Sequence, residues 1–367
     1  MRKKISICVA IYNIKNELLR ECIESVLYDK SEDVEIILGD DCSENGCGGI
    51  CREFAENDSR IIYLRHEKNG GVSKLRNSMA DAASGDYIAF IDGDDVVSRY
   101  YTQTVKTAAE SGFDIIMFEW QRFEKTAPQS LMNNSDLKEL PHNAGIGFSK
   151  ACLTGAPPEI ERYGMKASTP SSVCNKIYKR EFLNKNNLRF REGLKKSQDV
   201  EFNTRAFNKC ETIGYINETL YFYRKNPMSV CNRYSRDISA VINNCIDYDK
   251  KNLKTLYNND KECIRLWQRY KLLHFLIERF SLDIFHSDNP KSAHERKKDF
   301  CSVVDSEMYK AFFESFDYSS YNWNERKLVL KLASKKNFGL LDFMYKRPVS
   351  FRIYGRVKKI TDTIGKR

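Results

Sequence analysis

An apolar segment of this chain ends abruptly in a cluster of carboxylates. Residues 87–95 read Tyr-Ile-Ala-Phe-Ile-Asp-Gly-Asp-Asp, so Asp92, Asp94 and Asp95 directly follow a run that is typical of a buried strand. Buried carboxylates are costly unless they are paired or bind a metal ion. A strand that carries this acidic triplet to one edge of a sheet therefore predicts a divalent cation, together with an anionic ligand for that cation.

The first 120 residues alternate between strand-like and helix-like segments. Short apolar runs predict strands, and apolar residues spaced three and four positions apart predict helices. The predicted strands are Ile5–Ile11, Val34–Leu38, Ile61–Leu64, Tyr87–Ile91 and Asp114–Trp120, and the predicted helices are Asn16–Tyr28, Cys47–Asn57, Ser73–Ala83 and residues 99–111. Alternation at this spacing predicts an α/β fold with a mostly parallel, doubly wound sheet and helices on both faces.

Polar residues collect where the predicted strands end. Tyr12 and Asn13 follow the first strand, Asp40 and Asp41 follow the second, and the acidic triplet follows the fourth. Ligands bind at the carboxyl ends of the strands in sheets of this class. We therefore expect these side chains to form one site at a single edge of the sheet.

The rest of the chain changes character twice. Residues 121–170 are rich in Pro, Asn and Ser, which predicts long loops of the kind that often form lids over a site. Strand and helix patterns return between residues 172 and 225, and from about residue 236 the pattern is helical. We expect a first domain over residues 1–230 (an α/β half, 1–120, and a half with lid loops, 121–230), a helical region over 236–345 and a basic tail over 346–367.

The net charge of +10 is unevenly distributed along the chain. Residues 1–120 carry 14 Lys and Arg against 22 Asp and Glu, whereas residues 345–367 carry 8 against 1. Because the acidic part is the one that resembles a catalytic site, the basic end indicates a surface for anionic lipid or an anionic acceptor, not for nucleic acid. Apolar residues recur every three or four positions within 351–367, which predicts a basic amphipathic helix at a membrane surface. The alternative is a helix that packs on its own domain or on a partner.

No apolar run approaches the roughly 20 residues needed to cross a bilayer. The N-terminal apolar run is too short and too rich in β-branched residues for a signal peptide. We therefore expect a cytoplasmic protein that lies peripherally on the inner face of the cell membrane.

Four motifs within the first 95 residues resemble glycosyltransferase family 2. They are Ile5–Asn13, the Asp40-Asp41 pair, the Asn69-Gly70-Gly71-Val72-Ser73 segment that runs into Arg76-Asn77, and the Asp92-Gly93-Asp94-Asp95 (DXD) motif. The resemblance is strong to about residue 120, weaker to about 230 and absent from the C-terminal third. It implies a GT-A fold, a UDP-sugar donor and an inverting transfer of the sugar to a hydroxyl group.

The resemblance gives the acidic triplet distinct roles. Asp94 is expected to ligate Mn²⁺ or Mg²⁺, and Asp92 to contact the ribose or an outer-shell water. Gly93 leaves room for the diphosphate, while Asp95 orients either its neighbours or the donor sugar. A divalent cation fits this chemistry because negative charge builds on the leaving diphosphate, and both ions favour carboxylate and phosphate oxygens.

The nucleotide is expected to lie beside the first two strands. Asp41 is expected to accept the uracil N3–H, since a carboxylate only accepts hydrogen bonds, with Ala10 and Tyr12 lining the base pocket. The alternative for Asp41 is a turn-forming role. The backbone at Gly71 precedes a helix and is expected to lie near phosphate, and Arg76 either faces the nucleotide or pairs with a surface acid.

The expected general base is Asp199. In the family an acidic pair, usually Glu-Asp, opens a helix beneath the acceptor site, and its Asp removes the proton from the acceptor hydroxyl. This chain has Gln198-Asp199, so the Asp is retained and the preceding negative charge is lost. The alternative for Asp199 is a helix-capping role.

Two further segments carry weaker resemblance. Arg224 and Ser229 belong to a stretch that resembles the family segment closing over the donor diphosphate. Asn175 and Lys176 lie in a stretch that resembles the acceptor-side strand.

The expected function is transfer of a hexose or N-acetylhexosamine to a glycan or lipid-linked oligosaccharide in surface-polysaccharide assembly. The sequence leaves open whether the protein forms a homo-oligomer. The first alternative is a sugar nucleotidyltransferase, although that class normally has a Gly-rich basic loop after its first strand, and residues 10–13 are not one. The second alternative is a degenerate protein that binds nucleotide or glycan without catalysis.

Overall fold

The structure is a computed structural model that describes residues 4–128, 136–158, 163, 165, 169–225, 233–316, 318 and 325–347. The chain divides into two compact units. One comprises Met1–Asn226 with Asn252–Asn258, and the other comprises Pro227–Lys251 with Asn259–Arg367. The predictions made for Ser229 and for tail residues 348–367 lie outside the described residues.

The first unit is built on one mixed sheet. Its described strands are β1 (Ile5–Ile11), β2 (Val34–Asp40), β3 (Ile61–Arg65), β4 (Tyr87–Asp92), β5 (Val96–Val97), β6 (Ile115–Phe123), β7 (Lys138–Glu139), β8 (Lys176–Lys179) and β9 (Ile213–Arg224). Their order is β3-β2-β1-β4-β8-β6-β9-β5, with β7 paired to β9. The first four strands are parallel neighbours, and the predicted mostly parallel α/β sheet is confirmed.

One strand departs from the simple alternating pattern. The short strand β8 lies between β4 and β6 and runs antiparallel to both. Strand β6 is therefore not a direct neighbour of β4, although it follows β4 among the long strands. This insertion joins the two halves of the sheet through only four residues of β8.

The helices of this unit pack their apolar stripes onto the sheet. They are α1 (Asn16–Val26), α2 (Cys47–Asn57), α3 (Val72–Ala82), α4 (Tyr101–Ala109), α5 (Ala144–Thr154), α6 (Arg180–Lys185) and α7 (Gln198–Lys209). Every residue of β1 is buried, as expected for a strand covered on both faces. Helix α3 lies so close to β2 that a Cβ atom on Gly39 would come within 2.5 Å of the Met79 sulfur. Leu75 and Met79 of α3 therefore pack directly against the carboxyl-terminal part of β2.

The second unit is helical, as the sequence pattern predicts. Its elements are α8 (Ile238–Tyr257, whose residues from Asn252 onward belong to the first unit), α9 (Lys261–Trp267), α10 (Leu273–Arg279), α11 (Ala293–Val304), α12 (Glu307–Ser315), α13 (Glu325–Ser334) and α14 (Phe338–Lys346). Single π-helical turns at Gln268–Leu272 and Phe280–Ile284 follow α9 and α10.

An aromatic cluster forms part of the core of this second unit. The ring of Phe285 lies 5.9 Å from that of Phe300 and 5.4 Å from that of Phe338, measured between centroids. Helix α11 begins with a capping box in which Ser292 and Glu295 satisfy each other's backbone N–H groups. None of the helices in the described part of the chain is long and apolar enough to cross a membrane.

Candidate active site

The carboxyl ends of β1, β2 and β4 meet at one edge of the sheet, as predicted. Ile11 on β1 pairs with Asp40 on β2, and Ala10 pairs with Asp92 on β4. The backbone N–H of Gly93 donates to the Ala10 oxygen at 3.0 Å. A Cβ atom at position 93 would come within 3.0 Å of that same oxygen, so only glycine lets the acidic triplet begin this close to β1.

Asp41 shapes the turn that leads into α3. Its carboxylate is buried and accepts hydrogen bonds from the backbone N–H groups of Gly70 at 2.9 Å and Gly71 at 2.7 Å. One of its oxygens also lies 2.7 Å from Nδ1 of His66. Gly71 has a φ of +83°, a conformation that L side chains rarely adopt. The turn-forming alternative is therefore realised, and three of the roughly four acceptor positions of this carboxylate are in use.

The side chains beside Asp41 differ in exposure. Tyr12 is 51% exposed, whereas Ala10 is buried against the sheet. An exposed aromatic ring at the end of β1 offers a flat surface on which a planar base can stack. The contact with uracil stays a prediction for both residues and for Asp41.

Asp95 connects the end of β4 to strand β9. Its buried carboxylate accepts a short hydrogen bond from the hydroxyl of Tyr221 and a 2.7 Å bond from the backbone N–H of Arg224. Burial, followed by the charges of Asp92 and Asp94, raises the pKa of Asp95 to about 8. Of the two roles left open by the sequence, these contacts favour the orientation of neighbouring residues.

Asp94 is the member of the acidic triplet that is available for a ligand. Burial and the charge of Asp92 raise the pKa of Asp94. Its carboxylate makes no hydrogen bond or ion pair with another residue in the part of the chain that the structure describes. Its surroundings therefore disfavour the ionised form of the carboxylate. A bound cation would favour that form instead.

The few metal-ligating side chains at this edge fit a cation that is also bound by a substrate. Within the described residues no group of three or more His, Cys, Asp or Glu side chains is placed to hold a metal ion. A cation at Asp94 would therefore take most of its oxygen ligands from a diphosphate and from water. Mg²⁺ in particular commonly binds in this way, through one or two carboxylates together with substrate phosphates.

Arg76 joins the acidic triplet to the expected base. From α3 its guanidinium donates to Asp92 Oδ1 at 2.8 Å and to Asp199 Oδ1 at 2.6 Å. It is buried and lies over the ring of Phe190, 5.3 Å from the ring centroid. Arg76 thus pairs with acids, but these acids are two candidate site residues, and its contact with the nucleotide stays a prediction.

Asp199 lies in the first turn of α7, as the sequence predicts. The residue before the helix, Ser197, has a φ of +60° and turns the chain into it. Asp199 Oδ2 accepts a 3.3 Å hydrogen bond from the backbone N–H of Val173, and the side chain remains 28% exposed. A carboxylate that is held by Arg76 yet reached by solvent has the access to an acceptor hydroxyl that a general base needs.

Arg224 lies at the same edge and binds the backbone of the acidic triplet. Its Nε donates to the Asp94 carbonyl oxygen at 2.9 Å, and its Nη2 donates to Glu21 Oε2 at 2.6 Å. The guanidinium lies over the Phe123 ring, 4.5 Å from its centroid. Its expected pairing with phosphate stays a prediction.

Tyr221 and Glu21 are site residues that the sequence did not reveal. Tyr221 binds Asp95 across 126 positions, and Glu21 binds Arg224 across 203. Each lies within an ordinary strand or helix pattern, and only the pairing of distant elements brings it to the site. Tyr221 belongs to the same family-like stretch as Arg224, although that resemblance gave it no role, and no local sequence signal identifies Glu21.

Lys176 is a fully buried lysine on β8. Its Nζ donates to the Thr169 oxygen at 3.1 Å, to the Ser172 oxygen at 2.5 Å and to Asn175 Oδ1 at 2.6 Å. Burial lowers the pKa of Lys176 to about 7. The side chain therefore supports the strand and loop that precede α7 through hydrogen bonds, without a carboxylate partner among the described residues.

Replacing Lys176 with methionine should remove a pH-dependent part of the stability. Because its folded-state pKa of about 7 lies below the 10.5 of a free lysine, unfolding takes up a proton between these values. The contribution of Lys176 to the free energy of unfolding is fully present at high pH. It decreases as the pH falls from 10.5 to about 7, where its loss is complete. We expect the free energy of unfolding of the wild type to rise relative to Lys176→Met between pH 7 and 10, by at most about 1.4 kcal/mol per pH unit.

Urea unfolding at pH 7, 8 and 9 measures this difference. The matched control is Lys179→Met on the same strand, since that side chain is 29% exposed; its difference from the wild type should not change with pH. If the difference in free energy of unfolding between the wild type and Lys176→Met is the same at all three pH values, the lysine is not neutral in the folded protein.

Comparisons with known proteins support the sequence resemblance. Residues 6–151 match the family model described as glycosyl transferase family 2. The chain is 31% identical to the uncharacterized glycosyltransferase EpsJ of Bacillus subtilis over 243 residues, which cover 62% of each protein. It is also 31% identical to the glycosyltransferase GlyA of Streptococcus pneumoniae, over 60% of this chain and 30% of that one. The chain thus spans less than two thirds of the length of these relatives.

The fold matches that of a solved glycosyltransferase structure. The chain superposes on S. aureus TarS residues 1–349 in complex with UDP with a TM-score of 0.58 and 18% identity, covering 94% of this chain and 92% of that one. The same protein is also known in complex with UDP-GlcNAc. The predicted GT-A fold followed by a helical region is therefore confirmed, and the similarity to glycosyltransferase family 2 covers residues 6–151.

Proposed function

We propose that this chain is an inverting, metal-dependent glycosyltransferase that moves a sugar from a UDP-sugar to a hydroxyl of a glycan acceptor. The observation that carries the proposal is the linkage of three elements at one sheet edge. Arg76 holds Asp92 and Asp199 together, while Asp94 beside them lacks any partner side chain among the described residues. This linkage supports one site in which Asp94 would hold the cation and Asp199 would act as the base.

The donor half of the site would hold UDP. Asp41, Ala10 and Tyr12 would receive the uracil, and the backbone at Gly71 would lie near the phosphates, where helix α3 begins. Asp94 would hold Mn²⁺ or Mg²⁺, with Asp92 supporting it through the ribose or a water, and the cation would neutralise charge on the leaving diphosphate. The structures of TarS in complex with UDP and with UDP-GlcNAc support this choice of nucleotide.

The remaining site residues would position these groups. Asp95 would keep β9 against the end of β4, as its bonds to Tyr221 and Arg224 require. Gly93 would allow the diphosphate to approach the backbone. Arg224 would add positive charge on the phosphate side.

Asp199 would act on the acceptor. An inverting transfer is a single displacement in which the acceptor hydroxyl loses its proton as it attacks the anomeric carbon. Asp199 Oδ2 is the oxygen not bound by Arg76, and its only described hydrogen bond is long. That oxygen is the expected proton acceptor.

The relatives support an acceptor class. The chain is 26% identical to the minor teichoic acid biosynthesis protein GgaB of Bacillus subtilis, over 74% of this chain and 28% of that one. A surface polymer, either a polysaccharide or a teichoic acid, is therefore the acceptor that we propose, built on a lipid carrier. The family match also favours a transferase over the nucleotidyltransferase alternative.

A panel of nucleotide sugars tests the proposed reaction. The full chain would be incubated with UDP-, GDP-, CDP- and dTDP-sugars in Mn²⁺ without acceptor, and release of the nucleoside diphosphate would be measured. We expect slow release of UDP from one UDP-sugar, abolished by EDTA. No release from any donor would favour the degenerate, non-catalytic alternative.

The basic tail is proposed to bind an anionic membrane surface. The support is the sequence alone, in which residues 345–367 carry 8 Lys and Arg against 1 acid. Removal of residues 350–367 should lower sedimentation with vesicles containing phosphatidylglycerol, because each basic residue near such a surface contributes about 1 kcal/mol. Equal sedimentation of the full and shortened chains would reject a membrane role for the tail.

A further inference from the structure

The helical unit contains a cavity of about 690 Å³ that the glycosyltransferase site does not use. This volume lies within the range of small-molecule sites. Helix α8 lines one wall with Ser239, Asn243 and Lys250, which recur at helical spacing, and α10, α11 and α12 supply the other walls. The cavity is therefore lined by the helices of this unit together with the segments that connect them.

Arg279 is a buried charge at the cavity. The residue is only 5% exposed. Its Nη2 donates to Asn243 Oδ1 at 2.5 Å, whereas its Nε makes no hydrogen bond. Among the described residues no carboxylate lies within ion-pair distance of this guanidinium. A buried cation without a counter-charge is costly, and an anion in the cavity would remove that cost.

Tyr309 lies beside it. The Arg279 guanidinium lies 5.8 Å from the centroid of the Tyr309 ring and close to its buried hydroxyl. Burial has the largest effect and raises the pKa of Tyr309 to about 12, although the charge and a hydrogen bond of Arg279 lower it. The hydroxyl therefore keeps its proton at neutral pH, and no described group accepts that proton. Arg279 and Tyr309 therefore line the same cavity, each with an N–H or O–H group that no described residue accepts.

The rest of the cavity lining contains both basic and acidic side chains. Arg236 and Lys250 are exposed cations, while Lys291 pairs with Asp299 at 2.6 Å. Three carboxylates and several hydroxyl groups also line the cavity (Asp247, Asp283, Asp299, Ser239, Ser302 and Ser306). The carboxylates disfavour a ligand that is anionic throughout, yet they accept hydrogen bonds from sugar or polyol hydroxyls. The lining thus favours one compact anionic group joined to several hydroxyl groups.

We propose that this cavity binds a phosphorylated sugar or polyol, with the phosphate on Arg279 and Tyr309 and the hydroxyls on the surrounding carboxylates and serines. Arg279 matches phosphate because a guanidinium presents several donors in a plane. The proposal does not depend on the reaction assigned to the first unit.

Calorimetric titration of the full chain tests the proposal with glucose 6-phosphate, inorganic phosphate and glucose. We expect glucose 6-phosphate to bind most tightly, since only this probe engages both the donors and the acceptors of the cavity. Replacement Arg279→Gln should weaken its binding about tenfold or more, as expected for loss of a charged hydrogen bond. Equal binding of glucose, equal binding of inorganic phosphate, or no binding of glucose 6-phosphate would each overturn the proposal.

Two further variants keep the test decisive if Arg279→Gln folds poorly. Ser302→Trp, on the exposed rim, should block the cavity and abolish binding, whereas Lys298→Gln on the same helix lies outside the lining and should leave binding unchanged. Binding that survives Ser302→Trp but is lost in Asp94→Ala would belong to the nucleotide site and would also overturn the proposal.

Discussion

Replacement of Asp199 with asparagine should reduce sugar transfer by about 10²–10⁴-fold, the usual contribution of a general base. Asparagine keeps an oxygen for Arg76, whose guanidinium donates to Asp199 Oδ1 at 2.6 Å, so the position of α7 should be preserved. Only the ability to accept a proton is removed. The measurement is the rate of UDP release with the donor found in the panel, together with calorimetric affinity for UDP.

The affinity for UDP should change little in this variant, because Asp199 lies on the acceptor side. Asp81→Asn is a matched control, since it removes an acid from α3 that is exposed and pairs with Arg189 on the surface. That control should keep the wild-type rate. Unchanged turnover in Asp199→Asn would eliminate the base assignment.

Replacement of Asp94 with alanine should remove the metal-dependent part of the affinity for UDP. Loss of a ligand that binds the cation directly should weaken binding in Mn²⁺ by about 100-fold or more, since even outer-shell partners contribute 10–100-fold to metal affinity. In EDTA the variant and the wild type should bind UDP equally. Calorimetry in both conditions gives the comparison.

Loss of folding can be separated from loss of the cation in this variant. Burial and the charge of Asp92 raise the pKa of Asp94, so the carboxylate is held against an unfavourable environment. Without metal, Asp94→Ala should therefore unfold at the same temperature as the wild type or at a higher one. A metal dependence equal to that of the wild type would show that another group holds the cation.

The sequence predicted the parts of the fold that depend on local pattern. Strands β1 to β4 are long apolar runs, and the helices between them have clear apolar stripes, so their type and order could be predicted. The insertion of β8 between β4 and β6 could not, because its four residues carry no periodic signal. Its place is decided by pairing with strands that are distant along the chain.

The same distinction applies to the site. The motif residues at the ends of β1, β2 and β4 lie where the parallel pattern puts them. The contacts that link them could not be predicted, since Arg76 meets Asp199 across 123 positions. The sequence left two possible roles open for Asp41 and two for Asp95. Their hydrogen bonds to the Gly70–Gly71 turn and to Tyr221 depend on tertiary packing.

The central claim is that the acidic edge of the sheet binds UDP together with a divalent cation. Calorimetric titration of the unmodified chain with UDP, in Mn²⁺ and after addition of EDTA, tests this claim most directly. The account predicts clear binding in Mn²⁺ that becomes much weaker in EDTA. Equal affinity in the two conditions, or no binding in either, would contradict it.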